Sequence, residues 1–595
     1  MKLVVPFVGE LEAKDARLIR LAEHLGISVE TLALPREIQQ HGQYLDCSVT
    51  DSRSCLVVNP DVMQSWVGGN SLPSNLAACI TSRFSHVIVH GLQPNSFHAH
   101  TVAALSQGRL RSIESIGSAG QYEMERNSRD ICGPFAGLTL GPANPTNDHV
   151  LSGSVTDPDV RQFISIGGHP FMLGVRQKAS EVLFLASENV ADLDAEVGDT
   201  HLSVYFSRLL PHAMALRHVF GEQSWCPSGQ HAAVIIDDPL LRDSYGFLNF
   251  EALRRLMNRH RFHTTIAFIP HNYRRNSAST TRMFRENSDN FGICFHGNDH
   301  TGAELAATDT THLNTVLHVA EHRMRVHGQS TGLACDKVMV FPQGKFSVEA
   351  MRVLNSRNFH AAVNTVPHPM GQPVRLTIGE LAQPAVVRYA GFPLFLRKPI
   401  QQTKRHDIAF NLFFGKPVLI VEHHEVFMRP DALAEVADKV NSLAPEICWS
   451  SLATAVDCST LRRCSLDGVQ HVRAYSRATQ IHNHSSSSQR FSIQWSHAAE
   501  CPRVEQVLRN EVPLPCFEVD DHEIRASVEM APGDSRTFAV VYRNEQSTEG
   551  RLGFRWTAKA FLRRRLSEIR DNHLSKNPRA LAVAKTLQRR LQPVR

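Results

Sequence analysis

Short apolar runs alternate with amphipathic segments along the first 225 residues. The run LVVPFV at 3–8 predicts a strand, and AKDARLIRLAEHLG at 13–26 has the period of a helix that ends at Gly26. Further apolar runs follow at 28–34, 55–58, 86–91, 163–168 and 181–187. Strands alternating with helices are typical of a parallel, doubly wound sheet. We therefore predict an α/β domain over residues 1–225.

This first region carries few candidate chemical groups. Gly9 stands alone after the first strand, so there is no dinucleotide fingerprint, and no GxSxG elbow is present. The sequence GGHP at 167–170 is more typical of a tight turn than of a ligand loop. The region broadly resembles flavodoxin-like and amidotransferase-like folds without their catalytic residues, which implies a binding or scaffolding role.

Strand and helix patterns continue from 226 to 460. Helical segments lie between most of the apolar runs, which are found at 232–237, 264–269, 292–296, 337–342, 360–365, 385–389 and 417–424. Seven strands with intervening helices predict a closed or nearly closed parallel (β/α)7 barrel.

Two further segments follow the predicted barrel. Residues 465–545 alternate polar and apolar positions between turn signals, which predicts a small β-sandwich with a packing role. Residues 551–595 hold 13 Lys and Arg against two acids, and 554–570 can form a basic helix. This helical tail could lie on an anionic membrane or dock on the protein with a solvated basic face. Nucleic-acid binding is not expected, because the basic excess is confined to one tail.

Composition narrows the class of protein. With 595 residues, 42% hydrophobic and 20% charged, the chain is typical of a globular multidomain protein. The apolar start is too short for a signal peptide, and no apolar run reaches the roughly 18 residues of a spanning helix. The 12 cysteines include no CxxC pair, which favours a reducing compartment. We predict a cytoplasmic protein, with peripheral membrane contact through the tail as one option.

Candidate chemistry is concentrated where the barrel strands end. The polar residues at these carboxyl ends are Asp237, Asp238, His296, Gln343, Asn364, Glu422, His423 and His424. Active sites of parallel barrels form at this end, so the placement predicts an enzyme. His296 and His300 are spaced to reach one metal ion, and one carboxylate of the Asp237–Asp238 pair would complete a common catalytic zinc set. The other carboxylate would be free to act as a base.

Four motifs carry a family resemblance. IIDD at 235–238, HGNDH at 296–300, VFPQG at 340–344 and the His pair at 423–424 resemble the TFDD, HSxxH, RxPYG and late Leu-His motifs of the polysaccharide deacetylase superfamily. The resemblance covers roughly 230 of the 595 residues. It implies a divalent metal, most simply Zn²⁺, held by Asp238, His296 and His300. It also implies Asp237 as general base and His423 or His424 as general acid.

The chain departs from this family at two positions. Val340 stands where the family has an arginine that orients the base, and we consider Arg388 as a replacement. Asn364 stands where a later acidic residue is expected, which indicates a divergent member. Gln343, Asn364 and Glu422 are candidate substrate contacts. His271 and Arg274 could contact an anionic substrate or belong to a solvated loop.

The sequence thus predicts a metal-dependent hydrolase that removes an acyl group, most simply N-acetyl, from a sugar in glycan or glycolipid metabolism. A glycosidase using Asp237 with Glu422 or Glu425 is one alternative. A glycan-binding protein without turnover is the second, and a scaffold protein is the third.

Overall fold

The computed structural model describes residues 1–34, 54–117, 120–198, 200–498, 501–543, 553–574 and 576. The chain divides into two compact units. The first comprises 1–226, 376–382 and 462–468, and the second comprises 227–375, 383–461 and 469–595. Within the described ranges, no helix combines the length and the apolar character needed to cross a bilayer.

A nine-stranded sheet forms the centre of the first unit. Its strands and those of a separate pair are β1 (Leu3–Phe7), β2 (Val29–Ala33), β3 (Cys55–Val58), β4 (His86–Val89), β5 (Leu110–Ser115), β6 (Tyr122–Met124), β7 (Thr139–Leu140), β8 (His149–Gly153), β9 (Val160–Ile166), β10 (His169–Arg176) and β11 (Glu181–Leu185). The large sheet has the order β2-β1-β3-β4-β11-β10-β9-β6-β7, and β5 pairs with β8. The first five strands of that order are parallel, as in flavodoxin-type sheets.

The second half of this sheet is antiparallel, so the prediction of a wholly parallel sheet is wrong there. Strands β9 and β10 form a hairpin around Gly167 and Gly168, whose φ angles are +57° and +82°. Two left-handed residues make the tight turn that returns a strand beside its neighbour without a crossover helix. The GGHP sequence is thus a turn. The main helices of this unit are α1 (Ala13–His24), α2 (Pro60–Val67), α3 (Ser74–Arg83), α4 (Ser96–Leu105) and α5 (Phe206–Phe220).

A parallel barrel forms the first part of the second unit. Its strands are β12 (His231–Asp237), β13 (Thr264–Phe268), β14 (Phe291–His296), β15 (Asp336–Val340), β16 (Ala361–Asn364), β17 (Val387–Tyr389), β18 (Phe392–Leu396), β19 (Lys398–Pro399) and β20 (Val418–Glu422). Strand β18 pairs with β16, and β19 pairs with β20. Because only Arg397 separates β18 from β19, this one segment joins both edges and closes the ring.

The sixth barrel strand differs from the predicted one. The predicted run 385–389 contains β17, which pairs antiparallel with β18 and flanks the barrel. Ala390 and Gly391 connect the two strands, both with positive φ, so the chain makes a hairpin turn here. The barrel strand is therefore the next apolar run, which ends at Arg397.

Helices follow most barrel strands, and a β-sandwich comes after them. The helices are α6 (Phe250–His260), α7 (Ala278–Glu286), α8 (Thr310–Thr331), α9 (Val348–Ser356), α10 (Arg405–Phe413), α11 (Asp431–Leu443), α12 (Leu452–Asp457) and α13 (Phe554–Ile569). The sandwich strands are Gln470–Ala474, Ala478–His482, Gln489–Ser496, Val504–Arg509, Val512–Pro513, Glu518–Val519, Glu523–Met530 and Ser535–Tyr542. Two sheets enclose one apolar core that includes Phe491, Trp495 and Phe538. The predicted run 471–483 is split between these sheets.

Strand register brings the candidate polar residues to one end of the barrel. Asp237, His296, Asn364 and Glu422 are each the last residue of a strand. The strands are parallel and in close register, with Asp237 opposite Ala267 and His296 opposite Val340. The carboxyl ends therefore meet at one barrel mouth.

Candidate active site

Asp238, His296 and His300 form a compact cluster at the barrel mouth. Their ligand atoms all lie within 4.8 Å of one another. Asp238 Oδ1 is 3.4 Å from His296 Nε2 and 3.3 Å from His300 Nε2. Asp238 and His300 both have positive φ, +80° and +54°, which is uncommon outside glycine. The backbone at both loop positions therefore turns away from ordinary strand geometry where the cluster forms.

A backbone hydrogen bond fixes the orientation of the His296 ring. Its Nδ1 donates to the carbonyl oxygen of Val340 at 3.0 Å, which leaves Nε2 with a lone pair directed toward Asp238. The residue at position 340 thus serves the site through its backbone, while its side chain is buried in the barrel. This tautomer is the one that a metal-ligating imidazole requires.

Glu304 holds the loop that carries His300. Its carboxylate accepts hydrogen bonds from the backbone N–H groups of Asn298, Asp299 and His300, at distances between 2.8 and 3.2 Å. Burial raises the pKa of Glu304 to about 7, although these N–H groups oppose the shift. Glu304 therefore shapes the loop through its backbone and does not orient an imidazole directly.

The three residues fit a divalent metal ion. Asp238 Oδ1 is buried without a hydrogen-bond partner among the described residues, and it faces two ring nitrogens. Ligands at about 2.0–2.2 Å from a tetrahedral ion lie roughly 3.4 Å apart, which matches the two distances above. One carboxylate and two imidazoles are also a donor set of catalytic zinc sites.

Asp237 is buried beside the cluster and paired with Arg397. The two Nη atoms of Arg397 donate to the two carboxylate oxygens, each at 2.7 Å, and both side chains are at most 5% exposed. Burial acts to raise the pKa of Asp237, but Arg397 and His296 together lower it. The carboxylate is thus held ionised in a fixed orientation.

Arg397, and not Arg388, is the arginine that contacts the carboxylate of Asp237. Arg388 instead donates to the carbonyl oxygen of Tyr475 at 3.2 Å, and burial lowers its pKa to about 10. The proposal that Arg388 replaces the third-motif arginine is therefore wrong. The missed signal was the apolar run FPLFL at 392–396, which ends directly at Arg397.

A cavity of about 440 Å³ opens beside these residues. It is lined by Asp237, Asp238, His296, His300, Gln343, Gly344, Thr365, Val366, Arg397, His423, Arg563, Arg564, Ser567, Arg570 and Asp571. Of the predicted His pair, His423 lines the cavity. His424 is buried and does not line the cavity; its Nε2 is 3.7 Å from Oδ1 of the lining residue Asp571, and its ring lies beside Tyr245 and Phe247. His423 is therefore the candidate acid, and His424 is not placed to reach a ligand in this cavity.

Of the predicted substrate contacts Gln343, Asn364 and Glu422, the first lines the cavity and the other two do not. Gln343 lines the cavity with a positive φ of +57°. Asn364 is buried and donates Nδ2 to the carbonyl oxygens of Gly344 and Val366, both at 2.9 Å, so it shapes two cavity-lining segments. Glu422 accepts from the backbone N–H of Ile400 at 2.9 Å and does not line the cavity.

His271 and Arg274 also lie outside the cavity lining. His271 Nδ1 is 3.0 Å from Asp299 Oδ1, a fully buried carboxylate that also accepts from Arg323 at 2.6 Å. Arg274 is exposed and lies over the ring of Tyr273. Their predicted contact with an anionic substrate is therefore not supported by these positions.

The helix α13 lies over the barrel mouth. Trp556 Nε1 donates to Asp299 Oδ2 at 2.8 Å, and Glu568 forms an ion pair with Arg275. Beyond the helix, Asp571 accepts from the Tyr245 hydroxyl at 2.7 Å. The helix is therefore docked on the protein, as one of the two options predicted, but part of its basic face lines the cavity through Arg563 and Arg564. Residues 577–595 of the predicted tail lie outside the described residues.

Comparisons with known proteins found matches among solved structures alone. No protein-family model and no curated protein matches the sequence. Agd3, a novel carbohydrate deacetylase, is similar with a TM-score of 0.47 and 9% identity, over 91% of this chain and 98% of Agd3. A family 4 carbohydrate esterase from Streptomyces lividans has a TM-score of 0.22 and 11% identity, over 38% and 92%. BA3943, a CE4 family pseudoenzyme from Bacillus anthracis, has a TM-score of 0.25 and 9% identity, over 38% and 66%. With these low TM-scores and identities, no property of the three proteins is assigned to this chain.

Proposed function

We propose that this chain is a metal-dependent hydrolase that removes an acyl group, most simply N-acetyl, from a carbohydrate. One observation carries the proposal. A metal-type cluster of Asp238, His296 and His300 shares a cavity with the Asp237–Arg397 pair and with His423. The cavity volume also falls within the range of about 300–1,000 Å³ that small-ligand sites occupy. We infer zinc from the donor set.

Each of these residues has a role that follows from its surroundings. A bound cation would supply Lewis acidity toward water and the acyl carbonyl. Asp237, held ionised by Arg397, would accept the proton of the attacking water. Arg397 acts as a positioning residue, because it fixes the orientation of Asp237. His423, an exposed residue of the cavity lining, would donate a proton to the leaving amine.

The glycosidase alternative receives less support. It needs two carboxylates that flank one sugar bond with free oxygens. Glu422 is engaged by the backbone N–H of Ile400 and does not line the cavity that Asp237 lines. Glu425 does not line the cavity either.

Metal content and acetate release test the proposal together. Elemental mass spectrometry on the purified full chain should find about one equivalent of metal, lost in His296→Ala and His300→Ala. The exposed His322 lies outside the cluster, so His322→Ala is the matched control and should keep the metal. Asp237→Asn should keep the metal and lose acetate release from N-acetylated sugars.

Two results would reject the hydrolase. Absence of bound metal after incubation with zinc, cobalt, nickel or manganese would remove its basis. A metal-loaded chain that binds N-acetylated sugars and releases no acetate would favour the glycan-binding alternative.

A further inference from the structure

The segment at the C-terminal end of the described chain supplies an unusual set of cations to the cavity. Arg563, Arg564 and Arg570 line it, together with Ser567 and Asp571. Arg570 Nε donates to Asp571 Oδ1 at 2.6 Å and is thereby paired. Among the residues that the structure describes, neither Arg563 nor Arg564 has a carboxylate within ion-pair distance. These two side chains are therefore the cations of the cavity that lack an anionic partner.

Of the two arginines, Arg564 gives the stronger indication of a ligand site. It is only 7% exposed, although a buried guanidinium normally has a carboxylate or several carbonyl partners. Among the described residues, its Nε has no hydrogen-bond partner, and its Nη2 makes one long contact to the Ser567 hydroxyl at 3.4 Å. Most donors of a buried charged group, lying at the wall of a cavity, are thus free to bind an added ligand.

The carboxylates that line the cavity are each in contact with other partners, and none of them is in contact with Arg564. Four arginines and three aspartates line the cavity. Asp237 is committed to Arg397, and Asp571 to Arg570. Asp238 lies against the two histidines and attracts the arginine pair only from beyond ion-pair distance, so within the described part of the chain no carboxylate contacts that pair. Burial and the neighbouring Arg564 lower the pKa of Arg563, and the opposing attraction of Glu304 and Asp238 does not offset them.

We propose that Arg563 and Arg564 form an oxyanion subsite beside the Asp238–His296–His300 cluster, and that the substrate is a sugar bearing a carboxylate or phosphate group. The forked donors of a guanidinium match the paired oxygens of both groups. The anion would lie beneath helix α13, while the acyl group is directed to the cluster. This inference rests on the proposed function for the identity of the substrate as a sugar, whereas the subsite itself does not depend on turnover.

Calorimetric titration of the full chain with inorganic phosphate and with glucuronate tests the subsite, and glucose serves as the neutral probe. We expect the anions to bind and glucose to bind much more weakly. Arg564→Gln and Arg563→Gln should each weaken anion binding about tenfold to hundredfold, because a charge-assisted hydrogen bond contributes on that scale. Arg565→Gln is the matched control, since Arg565 lies on the same helix, is exposed and does not line the cavity. Its anion binding should equal that of the unaltered chain.

A second variant separates the arginines from the cluster. His300→Ala should retain anion binding, because the subsite is made by α13. Loss of binding in His300→Ala with retention in Arg564→Gln would overturn the proposal, as would failure of either anion to bind the unaltered chain. If Arg564→Gln does not fold, Arg563→Gln and Arg564→Lys give the same comparison. Preference for phosphate or for glucuronate tells a phosphorylated sugar from an acidic one. Anion binding without acetate release would retain the subsite and reject the hydrolase.

Discussion

Replacing Arg397 by methionine would leave the Asp237 carboxylate buried without its cation. The exposed fractions of the two side chains are 5% and 4%, and two hydrogen bonds of 2.7 Å join them. A hydrogen bond to a charged group contributes roughly 1.5–3 kcal/mol, and removing one partner of a buried pair costs about 3–5 kcal/mol. We therefore expect Arg397→Met to lower the free energy of unfolding by about 3–5 kcal/mol at pH 7.

The loss of stability in Arg397→Met should come more from the buried, unpaired carboxylate of Asp237 than from the removal of the arginine side chain itself. The double variant Arg397→Met with Asp237→Asn removes that charge and should recover much of the loss. pH adds a second signature. In the unaltered chain the pKa of Asp237 is lowered, so its stabilising contribution is present above the unfolded-state pKa and is lost as pH falls through the folded-state pKa. Without Arg397, burial raises that pKa, so the destabilisation should be smaller at pH 5 than at pH 7.

Urea unfolding followed by tryptophan fluorescence at both pH values measures these differences. Arg388→Met is the matched control, because Arg388 is half-buried and its side chain donates, within the described ranges, to the carbonyl oxygen of Tyr475 and to no carboxylate. Its effect should not be relieved by Asp237→Asn. If the double variant is as unstable as Arg397→Met, or if Arg397→Met shows no pH dependence beyond that of Arg388→Met, the charge argument is refuted.

Three further predictions concern the loop, the helix and the membrane. Burial raises the pKa of Glu304 to about 7. Its contribution to the free energy of unfolding is therefore full at low pH and falls by roughly 3 kcal/mol as pH rises from the unfolded-state pKa through 7. Urea unfolding between pH 5 and 8 should show a weaker pH dependence of stability in Glu304→Gln than in the unaltered chain. Trp556→Phe removes a hydrogen bond to buried Asp299 and should loosen helix α13 by about 1–3 kcal/mol, seen as faster amide exchange there; unchanged exchange would contradict the anchoring role. Leu562 and Leu566 are 61% and 57% exposed and could contact a bilayer. The double variant Leu562→Ser with Leu566→Ser should therefore sediment less with anionic vesicles than the unaltered chain does. No binding by the unaltered chain would reject membrane contact.

Much of the candidate site could be predicted from local sequence. Asp237 and His296 each end an apolar run, and parallel strands in register bring such ends together. His300 lies four positions after His296 on the same loop, so their proximity is local in sequence. Glu304, also on this loop, accepts a hydrogen bond from the backbone N–H of His300. These residues were found because hydrophobic periodicity reports where a strand ends, and the barrel architecture then specifies which ends meet.

Only the tertiary structure decided the partners that complete the site. Arg397 lies 160 positions from Asp237, and it meets that carboxylate because β18 and β19 close the ring. The basic helix α13 carries the same pattern of charges whether they face solvent, lipid or a cavity. The sequence alone therefore determined which positions are apolar and which residues end the strands. The pairing of buried charges, as for Arg397 and Arg564, depends on contacts between distant segments, which local periodicity does not encode.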